Sequence, residues 1–215
     1  MRAAGRGEVF MNIKAMQVGP IGTNCYILED SAARQAAVID PGGDAPRLLA
    51  ALKGLEVRYI LLTHGHYDHT GAAAELAAAF PEAAVYIHKG DYCDVDPSLF
   101  PLHTQLSGGV NFYGEGDRLN LGALTVEVLH TPGHSEGSVT LRCGDVLFCG
   151  DTLFAGSCGR TDFPGGDTAK ILSSLRRLGE LEGNLQVLPG HMESSTLNRE
   201  RRVNPYLRQA MDGRF

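Results

Sequence analysis

The chain has 215 residues, room for one large or two small domains at ~150 residues each, and carries Lys+Arg 19 against Asp+Glu 25 for a formal net charge of -6. That balance excludes a general binder of nucleic-acid backbone, and no stretch approaches the ~18 apolar residues of a membrane span. Hydrophobic residues at 43% with charged residues at 20% describe a globular chain, and 27 glycines, about 13% against an average of ~7%, point to function carried on tight loops.

Residues 1–10 lack the apolar core of a signal peptide and are expected to be a disordered leader or tag remnant, so the chain is read as cytoplasmic, with one domain over 11–215. Strand-like runs follow at 11–18, 24–30, 35–40, 57–63, 83–88, 124–130, 138–143, 145–151 and 185–190. The clearest alternation sets Leu124, Val126 and Val128 on one face and Thr125, Glu127 and Leu129 on the other. Helical spacing joins Leu48, Leu52 and Leu55 after Asp44 and Pro46, and Ile171, Leu175 and Leu178 after the N-cap Asp167. A third helix is expected over 71–80, before Pro81, and a fourth from Thr196 to Arg202, stopping before Asn204-Pro205. The polar, weakly periodic segment 91–116 is longer than an ordinary connection and reads as a site-rim loop. Strand groups separated by helices predict sheet layers covered by helices, an α+β arrangement. Five cysteines without a C-x-x-C pair are read as reduced thiols.

Directly after the apolar run 57–62 stand His64, His66, Asp68 and His69, four metal-competent side chains within six positions. Three more such residues each follow a glycine at the end of a strand-like run: Gly133-His134, Gly150-Asp151 and Gly190-His191. Seven ligands exceed what one tetrahedral site needs. Two ions sharing Asp151 would use them all, with His64, His66 and His134 on one and Asp68, His69 and His191 on the other. A hydroxide bridging two such ions is available near neutrality as a nucleophile.

The motif H-x-H-x-D-H at 64–69, TPGH at 131–134, GDTLF at 150–154 and PGH at 189–191 resemble the metallo-β-lactamase-fold hydrolases, over residues 12 to 208. The resemblance implies a four-layer αββα sandwich with the same metal-ligand assignment at the sheet edge, and zinc, or else iron or manganese, as the ions. HTPGHSEGSV and GDTLFAGSCGRTDFPGG are similar to the glyoxalase II group, hydroxyacylglutathione hydrolases, and to their short bacterial relatives. The implied partner is a small acyl thioester, with no nucleic acid and no membrane, and Asp68 would orient or deprotonate the nucleophile as well as bind metal. Two departures stand out. Classical members continue into a C-terminal helical domain beyond the position of Phe215, and many short relatives carry Gly-Pro where this chain has Met192-Glu193. Hydrolysis is therefore implied without glutathione being fixed as the thiol. The GRTDF run at 159–163 is shared with persulfide dioxygenases, which use one iron, and a non-catalytic metal-binding module is the third reading. Many class B β-lactamases fit less well, because they lack a histidine at the position of His69.

Outside the ligand set, Asp40 is read either as a turn residue or as a carboxylate fixing a ligand histidine in one tautomer. Arg160 falls where glyoxalase II enzymes have a basic residue for the substrate, or else pairs with Asp162 on the surface. His130 is expected to support the site or the core, His88 and His103 to be ordinary strand-end or loop residues, and Cys158 to be a packed thiol. Tyr67 is expected to pack the motif loop or donate to an oxyanion. Arg199, Arg201 and Arg202 read as a solvated helix face.

Overall fold

The computed structural model describes residues 11–93, 96–106 and 109–213, so the expectation for residues 1–10 lies outside the described residues. A first six-stranded sheet holds, in spatial order, β1 (Met11–Val18), β2 (Thr23–Asp30), β3 (Gln35–Ile39), β4 (Glu56–Leu61), β5 (Ala84–His88) and β6 (Val110–Tyr113). The second holds β7 (Arg118–Leu121), β8 (Leu124–His130), β9 (Val139–Cys143) and β10 (Val146–Gly150), continued by β13 (Gln186–Pro189) and β14 (Ser195–Thr196). A short hairpin of β11 (Leu153–Phe154) and β12 (Ser157–Cys158) lies between β10 and β13 in sequence.

Alternation of side chains along the strands builds three apolar layers. Ala37, Ile39, Leu61, Val126, Val128, Phe148 and Leu188 meet between the sheets. Their neighbours Ala36, Val38 and Ile60 point outward, under α1 (Ala45–Ala51) and α3 (Ala73–Ala79), where Leu48, Leu52 and Leu76 complete the layer. On the other side Leu129, Leu147, Cys149 and Val187 pack beneath α5 (Thr168–Gly179), α6 (Leu197–Val203) and α7 (Pro205–Met211). The order helix, sheet, sheet, helix is the four-layer sandwich expected, and Leu124, Val126 and Val128 do share the inter-sheet face while Leu129 faces the helices.

The topology sends several strands toward one edge. Strand β3 runs parallel to β4, and β10 runs parallel to β13. Strand β8 has the same sense as β10, because both are antiparallel to β9. The carboxyl ends of β3, β4, β8, β10 and β13 thus deliver the segments that follow them to a common rim.

Local chemistry explains where the helices begin. Asp167 accepts the Lys170 N–H at 2.9 Å, the cap expected for α5. Asp44 does not cap α1 with its side chain; its carboxylate accepts the Gly19 N–H at 3.1 Å and pairs with Arg47. Pro205 ends one helix as expected, but it also opens α7 at the first helical position, with Asn204 accepting the Tyr206 and Leu207 N–H groups. The segment 91–116 is more than a loop: it contains α4 (Leu102–Gln105) and β6, and buries Asp91, Phe100 and Leu102. The arginine cluster is a solvated face only in part. Arg201 turns back to donate to the carbonyls of Gly179, Leu181 and Gly183, closing the carboxyl end of α5.

Candidate metal centre

The seven sequence-selected residues come together. His64 and His66 leave the end of β4, Asp68 and His69 lie on α2 (Tyr67–Thr70), and His134, Asp151 and His191 follow β8, β10 and β13. Their donor atoms form three overlapping groups, His64/His66/His134, His64/His69/Asp151 and Asp68/His69/His191, each within 4.8 Å. Two of these are the triads expected from sequence, and Asp151 faces both, with Oδ2 3.6 Å from His134 Nε2 and 3.6 Å from His191 Nε2.

Glycines permit the approach. Gly150 has φ +48 and lies so close to Thr63 that a Cβ would fall 2.2 Å from Oγ1. A Cβ on Gly190 would fall 2.3 Å from Asp151 Oδ1 and 2.5 Å from His69 Cε1, so a larger residue would push into the donor cluster.

Supporting partners set the tautomers. Asp40 accepts the Thr63 N–H at 2.7 Å and the Thr63 hydroxyl at 2.6 Å, and its Oδ2 lies 2.9 Å from His69 Nδ1. Asp40 thus touches a histidine of the cluster from a backbone position with φ 53. With its proton given to Asp40, the Thr63 hydroxyl can accept from His64 Nδ1 at 3.2 Å. His134 Nδ1 donates to the Arg160 carbonyl at 2.8 Å, because a carbonyl can only accept. These bonds engage Nδ1 and turn Nε2 of His64, His69 and His134 into the cluster. Nε2 of His64 and His69, together with His66 Nε2 and Asp151 Oδ1, are buried without a hydrogen-bond partner among the described residues.

Those orphaned atoms fit a metal. Four-coordinate ions with ligand bonds near 2.0–2.1 Å hold neighbouring donors about 3.3 Å apart. Here His69 Nε2 lies 3.3 Å from Asp68 Oδ2 and 3.4 Å from Asp151 Oδ1, and His191 Nε2 lies 3.1 Å from Asp68 Oδ2. His134 Nε2 approaches His66 Nδ1 at 2.9 Å. Protonation states agree. Burial, then the neighbouring imidazoles, push His64 well down and His66 down to about 3, keeping both neutral. Burial raises the Asp68 carboxyl, but the His191 hydrogen bond, the nearby His69 ring and the Thr23 hydroxyl outweigh it and hold it well below the usual carboxylate range. Burial likewise lowers His69, yet Asp151 and Asp40 overcome this and hold it above the ordinary histidine range, so an ion bound there would take the place of its Nε2 proton.

Sequence reasoning missed Asp91. Its buried carboxylate accepts from Gly65 N at 2.9 Å, Ser135 Oγ at 2.6 Å and Gly137 N at 2.6 Å, tying the first histidine loop to the loop after His134. Nothing in the sequence relates these three partners, which lie 26 to 46 residues away. Arg160 lies on the site wall, but its guanidinium is held bidentately by Asp162 at 2.6 and 2.7 Å and rests on the Phe163 ring. His130 stacks on His88 and His103 packs on Tyr92, so all three remain outside the cluster.

The Metallo-beta-lactamase superfamily model matches residues 18–191. The chain belongs to that superfamily. Among its superfamily relatives, hydroxyacylglutathione hydrolase GloC of Haemophilus influenzae is 37% identical, over 92% of this chain and 98% of the relative. The crystal structure of BLEG-1 B3 metallo-beta-lactamase superposes with a TM-score of 0.81 at 36% identity, covering 91% of this chain and 99% of that one. TTHA1623 in a di-iron-bound form gives a TM-score of 0.79 at 38% identity, covering 90% and 99%. No helix among the described residues is long and apolar enough to cross a membrane.

Proposed function

We propose that this superfamily member is a dinuclear metallohydrolase that cleaves small acyl thioesters. The observation that carries the reading is the set of buried, unpartnered nitrogens and carboxylate oxygen facing one another at metal-ligand spacing. His64, His66 and His134 would hold one ion, Asp68, His69 and His191 the other, with Asp151 between them. Zinc suits these nitrogen and oxygen donors, and iron and manganese suit them as well; the likeness to a di-iron protein supports iron. Bound there, the ions supply an acidified water and polarise the acyl oxygen.

The chain's own residues do the rest. Asp40 holds His69 in one tautomer, Thr63 steadies His64, and the Arg160 carbonyl orients His134. Asp68 accepts a hydrogen bond from Thr23 Oγ1 at 3.0 Å and borders the cavity, where it can orient the attacking water and take its proton. Oxygen from water bonds to the acyl carbon, the carbon–sulfur bond breaks, and the thiol leaves with a proton. Thioesters are favoured over other acyl compounds by the likeness to a hydroxyacylglutathione hydrolase across nearly the whole of both chains.

The test uses protein of measured metal content, offered S-lactoylglutathione, simple acyl thioesters, a β-lactam and, with an oxygen electrode, glutathione persulfide. Thioester hydrolysis without oxygen uptake is expected. Oxygen uptake alone, β-lactam opening alone, or binding of metal without any turnover would each replace the proposal by the corresponding alternative.

A further inference from the structure

The donor cluster opens into a cavity of ≈ 470 Å³ whose walls beyond the histidines and carboxylates are mostly apolar. Ile21, Tyr67, Leu99, Phe163 and Met192 line it, and among the described residues its one basic side chain outside the histidines is Arg160. That guanidinium is already neutralised by the bidentate Asp162 and covered on one face by Phe163, 3.8 Å from its carbon to the ring centre. Outside the metal centre, a substrate carboxylate would therefore meet no unpaired cation at this mouth, only the three N–H groups that Asp162 leaves free on a guanidinium whose charge it already balances.

Two further features mark this apolar mouth. Among the described residues seven large hydrophobic side chains are exposed, and three of them, Ile21, Tyr67 and Met192, are on this cavity. Met192, beside His191, adopts φ +69, a left-handed backbone that glycine occupies without strain and a long side chain does not. Asn24 Nδ2 donates to the Met192 carbonyl at 2.9 Å and holds it in this conformation. Glycine would serve the turn better; the methionine side chain, 50% exposed, contributes little to the core.

We infer that the substrate is an uncharged thioester with an apolar arm, and that Met192 and Ile21 form the lip that selects it. The inference rests on the hydrolase reading. An alkyl arm packed between the two side chains and Leu99 removes apolar surface from water on both partners.

The test compares acetyl and hexanoyl esters of N-acetylcysteamine, both uncharged, with S-lactoylglutathione, on metal-loaded protein and on the Met192→Gly and Ile21→Ser variants. The hexanoyl ester is expected to exceed both other substrates in kcat/KM by about tenfold, the low end of what a methylene-scale hydrophobic contact gives. In Met192→Gly that preference for hexanoyl over acetyl should collapse toward one, while the melting temperature stays level or rises because backbone strain is relieved. Calorimetric binding of the inert S-hexyl thioether should weaken in parallel. A hexanoyl-to-acetyl ratio near one in the parent protein, or a melting temperature that falls with Met192→Gly while the ratio holds, overturns the inference and leaves the hydrolase reading standing. Preference for S-lactoylglutathione that is lost in Arg160→Ala also overturns it. Failure to hydrolyse any thioester with both ions bound overturns both.

Discussion

Asp40 shows most plainly how one side chain governs the cluster. Its two oxygens satisfy a backbone N–H, a hydroxyl and the ring nitrogen of His69. Replacing it with alanine orphans all three in a buried site, and metal affinity should fall by about 10–100-fold, read by competition with a chromophoric chelator. An unchanged affinity in Asp40→Ala would show that His69 needs no orienting partner. Asp151 lies at the junction of both triads, so Asp151→Ala should lower turnover by more than about 100-fold and leave fewer than two ions per chain by elemental analysis. Full activity in that variant would contradict the shared-carboxylate arrangement. The seven residues of the cluster were legible in the sequence because each sits in a short local pattern, a dense histidine motif or a glycine just before it. Asp91 was not, because its role depends on contacts across distant loops.

Helices and strands were legible where a period or a cap was strong, as in β8 and α5, and poorly legible where tertiary partners decide. The α6–α7 corner illustrates the second case. Asn204-Pro205 carries a stop signal and a start signal at once, and the apolar contacts of Leu207 and Ala210 with the α5 layer join the Asn204 cap in favouring the second helix. Arg201 likewise has the composition of a surface residue but satisfies three carbonyls after α5. Arg201→Ala should cost roughly 1.5–3 kcal/mol, the worth of a charged hydrogen-bonding group. At about 2–4 °C per kcal/mol for a chain of this size, the melting temperature should fall by about 3–12 °C. The neighbouring Glu200 is buried and receives Ser195 Oγ, Gly156 N at 2.7 Å and Asn204 Nδ2 at 3.0 Å. Burial raises its pKa, but these donors outweigh burial and set it below its ordinary 4.5. A carboxyl lowered on folding adds stability above its unfolded pKa and loses it as pH falls through the folded value. The melting-temperature gap between the parent and Glu200→Gln should therefore be widest near neutral pH and narrow as pH falls below 4.5 through the lowered folded value. A gap independent of pH would assign the effect to packing instead of charge.

The donors come from both sheets: His64, His66, Asp68 and His69 from the first, and His134, Asp151 and His191 from the second. Bound ions would thus fasten the two halves of the sandwich together. An ion present at 100 times its dissociation constant adds about 2.7 kcal/mol to the folded state. Chelation should therefore lower the melting temperature by about 5–11 °C for each such ion removed. That helices cover sheet layers was readable from the strand and helix patterns, whereas the four-layer order was implied only by the motif resemblance. The strand order was not, because the pairing of β10 with β13 and of β3 with β4 joins segments separated by helices. The most direct measurement is a titration of chelated protein with zinc, iron(II) or manganese, following bound ions per chain and thioester turnover in the same sample. Turnover should appear with the metal and reach its plateau as the second ion binds. A plateau at one ion, or turnover that persists in fully chelated protein, would contradict the dinuclear hydrolase.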